Sequence, residues 1–145
     1  MTAAIEAQGT LLKAGNGASP EVFTTIAEVN DIRWNGLATT QIEVTNHGST
    51  GGFREYILTN QDGGEVVFDV NYVPGATTHK NAAGGFLKRW VDKTTDNYTV
   101  TWPSSPVVTW SFAAIITNMD FSAPARDAAL SGTVTLKVTG QPTLV

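Results

Sequence analysis

Between a turn at Asp62-Gly63-Gly64 and a stop at Pro74-Gly75 the chain alternates with a period of two. Val66, Phe68, Val70 and Tyr72 fall on one face of the implied strand, with Glu65, Val67, Asp69 and Asn71 opposite. One face demands a core. The other carries two acids and an amide and faces water. Proline cannot donate to a ladder, so pairing ends at Pro74.

The same alternation recurs along the chain. Gly9 to Ala14 predicts a short strand closed by Gly15-Asn16-Gly17, and Val22 to Trp34 one long strand bent near Ala27-Glu28. Asn35-Gly36 predicts a turn before a strand over Thr40 to Thr45. Asn97 to Trp102, Val107 to Met119 and Thr133 to Thr139 follow, with a loop over Asp120 to Leu130 and a tail over 140–145. The period changes once. Ala83, Phe86, Leu87, Trp90 and Val91 sit on one stripe of a helix expected within 80–93, with Phe86, Leu87, Trp90 and Val91 as its packing face. Gly84-Gly85 weakens helix propensity by about 1 kcal/mol each, so tertiary packing must hold it. About eight strands, one helix and no βαβ rhythm define an α+β, mostly β class: an antiparallel sandwich or barrel with one packed helix.

At 145 residues the chain fits a single domain, long enough to bury roughly 70% of its unfolded surface. Nine basic residues against thirteen acidic give a formal −4, and only Lys88-Arg89 are adjacent, which argues against a phosphate-gripping surface. Cysteine is absent, excluding disulfides and thiolate metal sites. Met1 to Gln8 is a polar, Ala-rich arm without the features of a secretory signal, and no apolar run is long enough for a membrane span, so a cytoplasmic product is expected.

Little in the sequence points to chemistry. His47 and His79 lack partners at ligand spacing, and no nucleophile elbow is present. Glu65 and Asp69 lie about 13 Å apart along one strand, too far for a glycosidase pair on that strand. Neither an enzyme, a metal nor a cofactor is expected. Trp90, Trp102 and Trp110 fall on core phases, whereas Trp34 stays available as a sugar-stacking residue. One segment breaks the pattern. Asn46-His47-Gly48-Ser49-Thr50-Gly51-Gly52 has no apolar residue and predicts a mobile excursion, returning through Phe53-Arg54-Glu55-Tyr56-Ile57-Leu58 to Gln61.

The order of segments resembles the tail tube proteins of long-tailed, lambda-like bacteriophages. The resemblance runs from Gly9-Thr10 through Phe23 to Val29, Thr40 to Thr45, Phe53 to Tyr56, Asp62-Gly63-Gly64-Glu65 and the helix, to Lys137-Val138-Thr139-Gly140-Gln141-Pro142-Thr143. Trp34-Asn35-Gly36 departs from the Pro-Gly common in the family, and the sequence stops at Val145 where some members add an immunoglobulin-like domain. The resemblance implies a virion protein, made in the host cytoplasm, that forms homo-hexameric rings stacked on a tape-measure protein between a tail terminator and a baseplate or tip. It implies passive passage of double-stranded DNA at ejection. Asn46 to Glu55 would be the inter-ring stacking loop, and Glu43, Glu65 and Asp69 candidate acids of a lumen that repels phosphate. An alternative on the same architecture is the tube protein of a type VI secretion system. From another class, the rival is a carbohydrate-binding sandwich using Trp34.

Overall fold

The computed structural model describes residues 2–145; Met1 of the expected arm lies outside them. Its strands are β1 (Leu11–Gly15), β2 (Phe23–Thr25), β3 (Val29–Asn35), β4 (Ala38–Glu43), β5 (Tyr56–Asp62), β6 (Glu65–Asn71), β7 (Asp96–Trp102), β8 (Val108–Ser122) and β9 (Ser131–Thr143), with one helix, α1 (Phe86–Asp92). Seven strands form an antiparallel sheet in the order β2-β1-β7-β8-β9-β6-β3, while β4 and β5 pair only with each other.

β2 and β3 lie at opposite edges of the large sheet, yet only Ile26, Ala27 and Glu28 join them. Four Cα steps cover at most about 14 Å, so the sheet must roll until its edges nearly meet. The expected single strand from Val22 to Trp34 is therefore two strands. Glu28 has φ +60, a left-handed conformation that turns the chain out of one edge and into the other. The switch is clamped on three sides. Thr78 Oγ1 accepts from the Ala27 N–H at 3.1 Å, His79 Nε2–H donates to Ala27 O at 2.7 Å, and the Asn71 N–H donates to Glu28 O at 2.9 Å.

Val66, Phe68 and Val70 of β6 are fully buried, as the alternation predicts, and meet Leu12, Val100, Phe112, Ala114, Val134, Leu136 and Val138 inside the roll. Each of these side chains larger than alanine contributes about 1.5–3 kcal/mol. Register shifts at Ile116/Asn118 exchange the inner phase of β8, so Met119 packs on the core. β8 also runs three residues past its expected end at Met119, to Ser122.

β9 does not end at Thr139. The segment Gly140-Gln141-Pro142 bulges, with Gly140 at φ +73, and pairing resumes at Thr143 opposite Ser111, so most of the expected tail belongs to a strand. The helix is likewise shorter than 80–93. A Cβ on Gly85 would sit 1.8 Å from Lys80 O, so the turns before it close on a glycine and the helix begins at Phe86. Lys93, left-handed at φ +55, ends it.

Tyr98 is 1% exposed and stacks on Phe112 at 5.8 Å. Burial raises its phenol from 10.0 to about 12. The neutral phenol is the form the fold favours, so its contribution is complete below the ordinary value and lost as pH rises through about 12. In an alkaline titration followed by ultraviolet difference absorbance, Tyr98 is expected to ionise at about pH 12, and Tyr98→Phe to remove that step.

Candidate assembly surface

The hairpin of β4 and β5 stands away from the rolled sheet, and all its strand residues are exposed. Its neck is built from glycines. Gly36 and Gly64 have φ +81 and +76, and a Cβ on Gly64 would lie 2.1 Å from Asn35 O, so the outgoing and returning legs touch where only glycine fits. The Trp34 indole N–H donates to Gly63 O at 2.8 Å and pins the neck to the barrel. Asn35-Gly36 is thus the exit of the hairpin rather than a turn between paired strands.

The segment 46–61, expected as a loop with a return segment, is the tip and second strand of this hairpin: Tyr56 to Gln61 lie in β5. The tip closes on itself. Asn46 Oδ1 accepts from the Gly48 N–H at 2.8 Å, the Ser49 hydroxyl donates to Glu55 Oε2 at 2.6 Å, and the Glu55 N–H donates to Thr45 Oγ1 at 2.9 Å. Thr50 to Gly52 make a single 3-10 turn, with Gly51 and Gly52 at φ +68 and +72. His47 is exposed at the tip, and Arg54 lies 3.9 Å from Glu43. Phe53 is 77% and Leu58 71% exposed, and Val44, Ile42, Ile57 and Tyr56 are also on the surface. These side chains have no core to enter in their own subunit.

Glu65 and Asp69 share the outer face of β6, but Glu43 sits on the hairpin, apart from them. Strand register extends that face across four strands. One rung runs Asp31–Asp69–Thr133–Asp120, the next Arg33–Val67–Thr135–Asn118, and the third Asn35–Glu65–Lys137–Ile115. The acids are partly balanced. Arg33 bonds Asp31 and reaches Asp69 at 3.1 Å, and the Thr133 hydroxyl donates to Asp69 at 2.8 Å. The Arg33 hydrogen bond, helped by Thr133, holds the Asp69 carboxyl below its usual range. Lys137 Nζ bonds Asp62 at 2.8 Å and, with the Gly64 N–H, lowers that carboxyl too.

The four expected packing residues of the helix divide. Phe86 is buried and Leu87 half-buried against the core, but Trp90 is 49% and Val91 53% exposed. The apolar stripe is thus only half covered within the subunit. Arg89, off the stripe, fixes the helix by a 3.2 Å pair with Asp96 and a 2.9 Å hydrogen bond to Gly15 O. His79 is fully buried, its Nδ1 accepting from the Val73 N–H at 3.1 Å while Nε2 serves Ala27, which makes it a loop clamp. Trp34 is committed as well. Its ring meets Trp110 and Phe112 edge-on at 5.4 and 4.8 Å and is partly buried against the core.

The profile of a family described as lambda phage tail tube protein matches residues 7–145. The chain belongs to that family. Among solved structures, the tail of an empty gene transfer agent particle, refined helically in C6 symmetry, matches this tail tube protein at TM-score 0.72 and 18% identity, over 98% of this chain and 99% of that one. The native gene transfer agent virion gives 0.75 at 17% identity over 98% and 99%. A sheath–tube complex of an extracellular contractile injection system in its extended state gives 0.67 at 13% over 100% and 95%. At these identities the likeness is one of fold. None of the curated protein sequences matches. As a tail tube family member the chain is a structural virion component, and among the described residues no helix is long and apolar enough to cross a membrane.

Sequence reasoning missed one part of the tail tube surface. A groove of 880 Å³ lies between the base of the hairpin and the C-terminal end of β9, lined by Leu37 to Thr40, Asn60 to Gly63, Val138 to Pro142 and Leu144. Alternation assigns faces within a strand but not which strands lie side by side, so no sequence signal marked it. The same limit hid Asp31, Arg33, Asp120 and Lys137 as neighbours of Glu65 and Asp69.

Proposed function

We propose that this protein forms homo-hexameric rings that stack into the tube of a long, non-contractile phage tail, through which double-stranded DNA passes at ejection. The observation that carries this reading is the pairing of two unlike surfaces on one small domain. One is a continuous polar face over β3, β6, β9 and β8; the other is a hairpin whose apolar residues have no core of their own.

The polar face lines the bore. Its three rungs hold Asp31, Glu65, Asp69 and Asp120 against Arg33 and Lys137, a formal −2 per subunit and −12 for six copies. Threonine, asparagine and a modest excess of acid offer DNA no phosphate grip. The hairpin reaches the next ring. Asn46 to Glu55 form its tip, and Phe53, Leu58, Ile42 and Ile57 become buried there, while Trp90 and Val91 meet another copy. Head-to-tail contacts of this kind build open filaments, with ring closure hiding the sheet edges.

The partners that complete such a tail are a tape-measure protein setting its length, a terminator and a baseplate or tip. The role is structural and needs no catalysis. Synthesis in the host cytoplasm precedes incorporation into the virion. Negative-stain microscopy of the purified protein, with and without the tape-measure protein, tests the reading. Hollow filaments are expected; a solution species that stays a monomer under every condition overturns it.

A further inference from the structure

The hairpin and the barrel strands beneath it are two parts of one bent ladder. Asn35 lies opposite Glu65 in the β3–β6 pairing. Stepping three residues further puts Ala38 opposite Asp62 and Thr39 opposite Gln61, which is the register that β4 and β5 hold. The pairing survives the neck, although the hairpin leaves the barrel there. β9 runs past the same bend. Lys137 lies opposite Glu65, and the Val138 N–H donates to Gly64 O at 3.1 Å, the next step of the β6–β9 ladder. Were β5 to continue β6 in line, Thr139 would face Gly63 and Gly140 would face Asp62. Instead the 880 Å³ groove opens between them.

The bend turns on one donor. Residues facing each other in a hydrogen-bonded antiparallel pair exchange two bonds, N–H to O in each direction. Gly64 accepts from the Val138 N–H, but its own N–H donates to Asp62 Oδ1 at 2.8 Å. A left-handed φ of +76 at Gly64 rotates that N–H off the ladder. The Lys137 ammonium donates to the same carboxylate oxygen at 2.8 Å.

We propose that Asp62 is the positioning residue of the hairpin: by taking the Gly64 N–H it stops the β6–β9 ladder at Val138 and sets the angle at which β4 and β5 leave the barrel. Without that oxygen the freed N–H pairs with Val138 O, the ladder runs on to Gly140, and β5 swings onto β9 and closes the groove. Capture of the N–H makes the latch, and the Lys137 charge only steadies the oxygen. Resting on the tube reading, the same angle aims the hairpin tip at the next ring.

The protein has no cysteine, so one introduced pair reports the angle. Gln61 and Gln141 are exposed residues lining the groove from β5 and β9, and they come opposite each other in the continued ladder, one step beyond Asp62 and Gly140. A disulfide needs Cα atoms within about 7 Å, and opposite residues of an antiparallel pair lie about 4.5–5.5 Å apart. In Gln61→Cys/Gln141→Cys subunits, scored only for the link within one chain, Asp62→Ala is expected to speed oxidation about tenfold, the value of one hydrogen bond to a charged group. Freshly prepared Asp62→Asn keeps an oxygen for the Gly64 N–H, so it and Lys137→Met should stay near the rate of the parent pair. An Asp62→Ala rate equal to the parent's overturns the latch, as does an Asp62→Asn or Lys137→Met rate as fast as Asp62→Ala. If Asp62→Ala does not fold, hydrogen exchange on the unaltered protein decides: the Gly64 amide is expected to exchange more slowly than that of Gly52 at the exposed tip, and equal rates overturn the latch. In chains without the cysteines, Asp62→Ala should raise the concentration needed for filaments about tenfold, by the same hydrogen bond, and Asp62→Asn should restore it. Asp62→Ala filaments at the parent concentration, with the link accelerated, overturn the aiming of the tip. Absence of any filament from the unaltered protein overturns the tube reading and leaves the latch to the cross-link.

Discussion

Phe53→Asp combined with Leu58→Asp is expected to give a folded subunit that no longer forms tubes. Both side chains lie on the hairpin, 77% and 71% exposed, so the lone subunit loses almost nothing. Exposed substitutions of this kind usually change stability by no more than about 0.5 kcal/mol. Between subunits the same residues are worth about 1.5–3 kcal/mol each when buried. Losing both therefore weakens each contact by about two to four powers of ten, and the contact repeats at every subunit. The denaturant midpoint should stay near wild type while sedimentation and negative stain show no filament. A second variant approaches the tip through its backbone: Gly51→Pro with Gly52→Pro cannot keep φ +68 and +72, because proline is fixed near −65°. Filaments formed at wild-type concentration by both variants would remove the hairpin from the contacts.

The strands that the sequence makes legible are those with one buried face. β6 alternates because Val66, Phe68 and Val70 meet the core while Glu65, Val67 and Asp69 do not, and Val134, Leu136 and Val138 repeat the pattern in β9. β5 fails that test. Tyr56 to Asp62 is exposed on both faces, so its pattern carries no record of a core, and the register that makes it a strand comes from β4. The break at Ala27-Glu28 hides for another reason. Glutamate does not announce a left-handed conformation as glycine does, and the clamp from Thr78, His79 and Asn71 comes from distant sequence. Gly140-Gln141-Pro142 misleads in the opposite sense, since glycine and proline that ordinarily end a strand here only bulge it. The helix period is incomplete in another way: it gives the apolar stripe of α1, of which Phe86 is buried while Trp90 and Val91 stay exposed, because periodicity does not say what packs against each position.

Lysine at the bore should be the most damaging change to function that leaves the tube intact. Glu65→Lys with Asp120→Lys turns the formal −2 of the three rungs into +2, and −12 per six copies into +12. Both side chains are exposed, and neither is paired with Arg33, so the subunit and its assembly should survive. Asp69 is the poorer choice for this test, because its removal would strand Arg33 beside Asp31 alone. Each lysine facing the duplex adds a phosphate contact whose strength falls with salt. For a ring of twelve such lysines of which about 6–10 engage at once, binding changes by about 10³–10⁵ between 50 and 200 mM salt. DNA that slid freely would instead be held ring after ring. Ejection from phage carrying both substitutions is therefore expected to slow sharply in low salt and to recover as salt rises, with tails of normal length in the microscope. Normal ejection at low salt would mean that β3, β6, β9 and β8 turn some other face to the DNA.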